Sequence, residues 1–419
     1  MEYRSEDFLS YKLHMIKTNK FKTINVKVVF SNEIKKDEIT IRNVLSDILT
    51  YSSKKYDTNK KLITKMQDLY AAKIFSSSYR IGKLYNTDIN AVFLNEKYTE
   101  EGMFEETLEL LSEIIFNPNV KDFEFDSKSF SIVKDINKVQ LQSIKENLRK
   151  YGLIRMLDEM GRDEDYSLHS YGYSDDLEKL DAKSLYEYYL KFLKTSNVDI
   201  YILGNIDFEK TKKLVNKLFK FNTIKMKRKN IIIEHKKINN RVKKYVEEMN
   251  ISQSKLSIGC KISNINDFDR NYVLPIYSII LGGGSSSKLF NNVREKNSLC
   301  YYISASGNKL DNILFITSGI NAKNYDKCLL LIKKELKNMQ KGNFTEDDIE
   351  KAKTQYITML DELWEDPFQI ISFYYSIGIL NKDDYDTRKK NIMSVKYEDI
   401  KRISNNIHMD TIFLLKGNE

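Results

Sequence analysis

Three cysteines, three prolines, four histidines and one tryptophan are all that a sequence of 419 residues holds of those types. Each scarcity excludes something. Cys260, Cys300 and Cys328 are odd in number and far apart, with no C-x-x-C pair, so neither a zinc ribbon nor a thioredoxin-like centre is expected. A disulfide framework is excluded on the same ground, which points to a reducing compartment. The histidines are His14, His169, His235 and His408, and no two stand at helical ligand spacing. Fifteen glycines and three prolines leave room for long regular elements. No apolar run reaches the ~18 residues of a membrane helix. The opening "MEYRSEDFLSYKLHMIKTNK" has no apolar core of signal-peptide length. The expected location is the cytoplasm.

What is present is a chain of ordinary globular composition, 41% hydrophobic and 30% charged. Its length exceeds what one hydrophobic core serves, so two or more domains are expected. The net charge of +9 comes from lysines scattered among 59 acidic residues. The densest basic run, "KMKRKN" from Lys225 to Asn230, reads as a solvated linker. Nucleic-acid binding needs clustered charge and is not expected.

The periodicity repeats itself. "NVKVVF" from Asn25 alternates as a half-buried strand. A helix follows from about Asp37 to Tyr51, and a second one is capped by Asp57 or Thr58. The strands "SSSYRIGKLY" and "DINAVFLNE" lead to a helix from Glu101 to Phe116, then a turn, then a long helix past Leu148. In the second half "SKLSIGCKIS" is a strand, and Asn271 to Leu281 is helical. A strand pair spans "LCYYISASGNKLDNILFITSGI", and an amphipathic helix runs from Tyr325 to Met339. A long helix capped at Thr345 comes next and ends before Pro367, which pushes Asp366 from helical dihedrals. The two series match at an offset of about 225 residues, which reads as two copies of one unit.

The most unusual stretch is "LGGGSSSKLFNNVREKNSLCYY", Leu281 to Tyr302. A P-loop would need a second glycine before Lys288 and a strand ahead of it, and neither is present. No G-x-G-x-x-G occurs either, so dinucleotide binding is not expected. A turn whose adjacent glycines adopt dihedrals closed to other residues is the simpler alternative.

The order of elements here resembles the C-terminal domain of the pitrilysin/insulinase (inverzincin) zinc peptidases. The residues that carry the resemblance are Gly282, Gly283 and Gly284, then Ser286, Ser287, Leu289 and Phe290, then Val293–Lys296, Leu299 and Tyr301. "SLHSYGYSDDLEKL" with its H-x-Y-G, and the strand ending in Gly204, resemble a late segment of the family's N-terminal domain, where His169 is structural. Active members carry H-x-x-E-H on the first long helix, two imidazoles on zinc with a glutamate as general base. Here that place falls near "NVLSDIL", Asn43 to Leu49, without a histidine; Asp47 stands close to the general-base position. The chain is similar to the zinc-less members of Gram-positive bacteria, which pair with a zinc-bearing subunit.

The resemblance implies an α+β fold of two similar α/β domains, each an antiparallel sheet backed by helices, in a clamshell arrangement. Residues 1–220 would be the domain lacking the zinc motif, 221–241 a linker, and 242–419 the domain with the arginine–tyrosine segment. It implies no catalytic residue, metal or cofactor on this chain, with zinc on a partner subunit carrying H-x-x-E-H. A peptide substrate would meet Arg294, Tyr301, Gly282, Gly283 and Gly284. Arg294 can donate a bidentate bond to a peptide carbonyl or carboxylate, and Tyr301 can offer its hydroxyl to a tetrahedral oxyanion. Against this stand an Arg294–Glu295 surface pair and tyrosines that merely pack a strand. A scaffold or peptide-holding subunit without peptidase role is the alternative function. An active peptidase with unusual ligands is a third, which metal content would reveal. The isolated chain is allowed to self-associate as a homodimer.

Overall fold

The computed structural model describes residues 1–162, 164–222, 230–235, 238, 241–380 and 383–418. From the N-terminus come strands β1 (Glu2–Asp7), β2 (Lys12–Lys17) and β3 (Thr23–Glu33), helices α1 (Lys36–Leu49) and α2 (Asn59–Asp68), and strands β4 (Lys73–Ile81) and β5 (Leu84–Leu94). Next are α3 (Met103–Phe116), the short hairpin β6 (Val120–Lys121) and β7 (Glu124–Phe125), then α4 (Ser127–Ser143) and α5 (Leu148–Gly161). Helices α6 (Ser174–Lys179) and α7 (Ala182–Thr195), strand β8 (Asn197–Gly204) and helix α8 (Phe208–Leu218) close the first half. The second half holds β9 (Lys243–Met249), β10 (Ser254–Ile262), α9 (Leu274–Gly282), β11 (Cys300–Asn308) and β12 (Ile313–Ile320). It ends with α10 (Tyr325–Lys341), α11 (Glu346–Glu362), α12 (Pro367–Leu380), α13 (Tyr385–Met393), α14 (Tyr397–Asn405) and β13 (Ile407–Gly417).

The duplication is visible in the sheets. The first runs β1-β2-β8-β3-β5-β4, the second β9-β13-β10-β12-β11 when read from the opposite edge. Without the added hairpin strand β1, the strand orders are the same. In each half the last strand inserts between the first two and runs parallel to the first, β8 beside β2 and β13 beside β9. The sheets are therefore antiparallel except for one parallel pair each. A parallel neighbour needs a long crossover, and in both copies the helical part of the unit supplies it.

The compact units are not consecutive stretches. One consists of the described residues of Met1–Gln142, His169–Lys229 and Asp366–Tyr375; the other of Ser143–Leu168, Asn230–Glu365 and Ser376–Glu419. The single long helix expected past Leu148 is broken between Ser143 and Leu148, and its second piece, α5, packs on β10 and β13. There Met156 and Met160 meet Gly259, whose missing side chain would otherwise lie 2.6 and 2.5 Å from their sulfurs. Conversely the start of α12 joins the first unit: Tyr375 donates to the Asn86 side chain at 3.1 Å and meets Tyr201 edge-on. Pro367 occupies the first helical position of α12, and Asp366 caps it by accepting from Gln369 N at 2.9 Å.

In the first unit Val26, Val28 and Phe30 of β3 are fully buried with Leu45, Leu108 and Phe192 from α1, α3 and α7. In the second, Ile258, Ile280, Leu314, Ile332 and Ile403 form the corresponding core. The described ends of the expected linker are anchored: Phe221 stacks among Tyr11, Phe30 and Phe116, and Ile233 N donates to Leu310 O at 2.7 Å. The basic run Lys225–Lys229 lies outside the described residues. All three cysteines are free and buried. Among the described residues, no helix is long and apolar enough to cross a membrane.

Candidate functional site

Two places in the fold answer to the sequence expectations, one in each unit. On α1 and at its C-cap, Asn43, Ser46, Asp47 and Thr50 recur at helical spacing and form one polar stripe. Their side chains are turned to internal partners. Asn43 Nδ2 donates to Ile39 O at 2.9 Å, and also to Tyr85 Oη and Ser170 O at 2.9 and 3.1 Å. Ser46 Oγ donates to Asn43 O and receives from Ser78 Oγ of β4. Asp47 accepts from Asn137 Nδ2 of α4 at 2.8 Å and from Ser76 Oγ at 3.3 Å. Burial pushes the Asp47 carboxyl above its usual range, and the two donors offset part of that rise.

Asn43, Ser46 and Asp47 stand at positions one, four and five, the spacing of H-x-x-E-H, with one metal-binding side chain among them. A zinc ion needs three or four convergent donors. Among the described residues no group of three His, Cys, Asp or Glu side chains can hold a metal ion. The groups on α1 do not fit zinc. The H-x-Y-G segment seals this face: Ser170 O accepts from Tyr85 Oη at 2.6 Å and from Asn43, and Tyr173 N donates to Thr40 Oγ1. Gly172 has φ +88° and lies against Thr40, where a side chain would have no room. His169 stacks on Tyr173.

The second place is built by the glycine-rich stretch. After α9 the chain turns through the glycines and serines into a wide, π-type helical segment, Phe290–Glu295. Ser298 ends it in the left-handed region (φ +51°), with Leu299 N returning to Val293 O and Ser298 N to Arg294 O. This reversal launches β11, an edge strand. The pairing of β11 with β12 slips between Cys300 and Tyr302, so Tyr301 is the extra residue of a bulge and its side chain is 61% exposed. A bulge at a sheet edge re-aims a side chain without disturbing the ladder behind it.

Arg294 and Tyr301 line the same open hollow, of about 410 Å³, with Glu295, Ser298, Asn321 and Lys323. Arg294 lies over the Phe290 ring, 4.7 Å from its centroid, and its Nε is 4.0 Å from Glu295 Oε1. A half-exposed pair at that separation contributes little to stability. The wall behind Tyr301 is Cys300, whose thiol burial pushes up. The hollow thus offers a stacked guanidinium, a phenol and an ammonium to a polar ligand.

The glycines act otherwise than as a conformational hinge. None of Gly282, Gly283 or Gly284 has a positive φ. Gly282 is required by closeness: a Cβ there would sit 2.4 Å from Ala305 N of β11. Gly283 O accepts from Gln355 Nε2 at 2.7 Å, and a side chain at Gly284 would meet nothing nearer than 3.5 Å. Gly282 thus lets α9 pack against β11, the strand that carries Tyr301. Sequence reasoning missed Asn137, Ser76 and Ser170, which close α1, and Asn321 and Lys323, which complete the hollow. The spacing of Asn43, Ser46 and Asp47 was readable; their distant partners carry no local signal.

Comparison with known proteins gives likenesses over part or nearly all of the chain. Residues 179–356 match the model of the peptidase M16 inactive domain. The chain is 29% identical over 412 residues to the probable inactive metalloprotease YmfF of Bacillus subtilis strain 168, covering 97% of this chain and 96% of that one. A crystal structure of a conserved protein from Enterococcus faecalis V583 superposes with a TM-score of 0.91 at 27% identity, covering 99% of both chains. The peptidase M16 inactive domain from Pseudomonas fluorescens gives 0.80 at 13% identity, covering 100% of this chain and 98% of that one, a likeness of fold.

Proposed function

We propose that this chain, a member of the pitrilysin/insulinase (M16) peptidase family of the type without the zinc motif, is the non-catalytic subunit of a two-chain zinc peptidase acting on unstructured peptides. Zinc and the general base would reside on a family-related partner carrying H-x-x-E-H. This chain would supply Arg294 to a peptide carbonyl or carboxylate and Tyr301 to the oxyanion that forms in the partner's site.

The observation that carries the reading is the placement of Arg294 and Tyr301. Tyr301 is exposed and Arg294 half-exposed, both line one hollow, and neither is among the buried core residues. An exposed tyrosine held on a bulge at a sheet edge contributes little to folding, so its position makes sense as a contact for another molecule. The free edge of β11 also offers backbone donors and acceptors to an extended peptide. A scaffold would have no use for this arrangement.

The test is purification of the chain under mild conditions from its own cell, followed by identification of equimolar partners. Recovery of a chain of similar size bearing H-x-x-E-H, and zinc-dependent cleavage of unstructured peptides by the pair but not by this chain alone, is the expected result. Recovery alone, or with subunits that lack peptidase motifs, would move the assignment to a scaffold or peptide-holding subunit.

A further inference from the structure

Two cations of the second unit are held by neutral groups alone. Arg149, in the first turn of α5, donates through Nη2 to Ser304 Oγ at 2.8 Å and to Thr317 Oγ1 at 3.1 Å. Its Cζ lies 4.9 Å from the centroid of the Tyr302 ring. Lys255 of β10 places Nζ 5.8 Å from the same centroid and donates to the Gln253 side chain. Neither cation has a carboxylate within ion-pair distance among the described residues.

Arg149 is exposed and Lys255 half-buried, whereas three cations elsewhere in the chain meet carboxylates. Lys27 meets Asp88 at 2.8 Å, Lys288 meets Asp348 at 2.7 Å, and Arg155, on the same helix as Arg149, meets Glu247 at 2.9 Å. Both cations lie near one aromatic ring with no carboxylate between them. Burial already pushes the Lys255 ammonium down. Such an arrangement is relieved by an anion.

There is room for one. Arg149, Lys255 and Tyr302 line an open hollow of about 640 Å³ with Glu146 and Asn147. The Nε and Nη1 donors of Arg149 remain unused among the described residues, and Tyr302 Oη has no hydrogen-bond partner there. The N-terminus of α5, capped by the Asn147 side chain accepting from Lys150 N, lies beside it. This hollow is distinct from that of Arg294 and Tyr301. Tyr302 and Ser304 point to the α5 face of the sheet, whereas Ala305 lies against Gly282 of α9.

We infer that the hollow formed by Arg149, Lys255 and Tyr302 is an oxyanion site and that its occupant is a carboxylate of a bound peptide. The peptide as occupant rests on the function proposed above; the oxyanion site itself does not. A carboxylate is preferred to phosphate by charge. Two cations and the rim carboxylate of Glu146 leave one net positive charge, which matches a monoanion.

The experiment uses the full chain labelled with ¹⁵N-arginine, reading the Nε–H resonance of Arg149, assigned by its loss in Arg149→Gln. Sodium acetate is titrated at constant ionic strength. A saturating shift confined to Arg149, weakened about fivefold in Lys255→Met, is expected for a pair of charge-assisted contacts. A linear shift shared with exposed arginines such as Arg162 overturns the site. Inorganic phosphate saturating well below acetate overturns the carboxylate assignment. A short unstructured peptide is then compared with its C-terminal amide, and with an amide carrying one internal glutamate. Saturation by the free acid alone assigns the terminal carboxylate, and saturation by the glutamate peptide assigns an acidic side chain. No saturation by any peptide, with acetate still binding, overturns the peptide as occupant. Arg294→Ala leaves the acetate response unchanged, so failure of this site and failure of the Arg294–Tyr301 reading are separately visible. Equal melting temperatures of both variants and the parent exclude misfolding as the cause.

Discussion

The polar stripe of α1 and the hollow of Arg294 and Tyr301 are the two places that answer to the sequence expectations, and they are built in opposite ways. On α1 the polar groups of the stripe are turned to internal partners. Asn43 serves Tyr85 and Ser170, Ser46 receives from Ser78, and Asp47 is held by Asn137 and Ser76. At the hollow, Arg294 rests on a single ring and Tyr301 stands out from a bulge. Buried polar groups cost stability unless bonded, so the stripe on α1 is kept by its internal partners. An exposed arginine and tyrosine need no such support. On the proposed function, their orientation by a helix reversal and a bulge serves a ligand.

The most severe way to break this comparison is to restore the motif. Asn43→His, Ser46→Glu and Asp47→His together force large or charged groups into a closed network, and should cost about 3 kcal/mol or more. Urea melts with and without zinc read the effect, and zinc is expected to give no rescue. Recovery of stability with one equivalent of zinc would mean that the face is not closed. A smaller effect separates the glycines. Gly282→Ala should cost about 1–3 kcal/mol, because its Cβ meets β11 backbone. Gly284→Ala should stay within about 0.5 kcal/mol, since space is available. Equal losses at both would show that the turn, and not the approach of α9 to β11, needs glycine.

Smaller still are the stability effects at the hollow. Arg294→Ala and Tyr301→Ala should each change unfolding free energy by about 0.5 kcal/mol or less. A loss of several times that size would make them structural residues. The finest effect is a pH dependence. Asp47 is raised in the folded state, so the folded chain holds this proton more tightly than the unfolded one. The stability this proton confers is complete below the unfolded value of about 3.9, and is lost as pH rises through the raised folded value. Asp47→Asn should remove that decline, seen as a flatter stability profile on the acid side of neutrality. An unchanged profile would place the Asp47 carboxyl in contact with solvent.

Much of this was legible from residues in a row. The two copies, their strand pairs and the capped helix at Thr345 follow from local periodicity and capping chemistry. Arg294 and Tyr301 stand seven residues apart in one segment, so a single helix reversal brings them to one hollow. What stayed hidden depends on long-range choices. Nothing in the pattern of α5 or α12 says which unit each will join, and α5 and the start of α12 both went to the unit of the other half. The closure of α1 draws Asn137 and Ser170 from far along the chain. The glycines were read as a matter of dihedrals, whereas the structure uses their lack of side chains.

The most direct measurement is of the pair. With a co-purified H-x-x-E-H partner, cleavage of an unstructured peptide is followed for the parent chain, Arg294→Ala and Tyr301→Phe. The account predicts that both variants still bind the partner, and that kcat/KM falls by about 100-fold or more, the scale of a lost oxyanion contact. Full activity with intact pairing in both variants would contradict it, leaving this chain a scaffold.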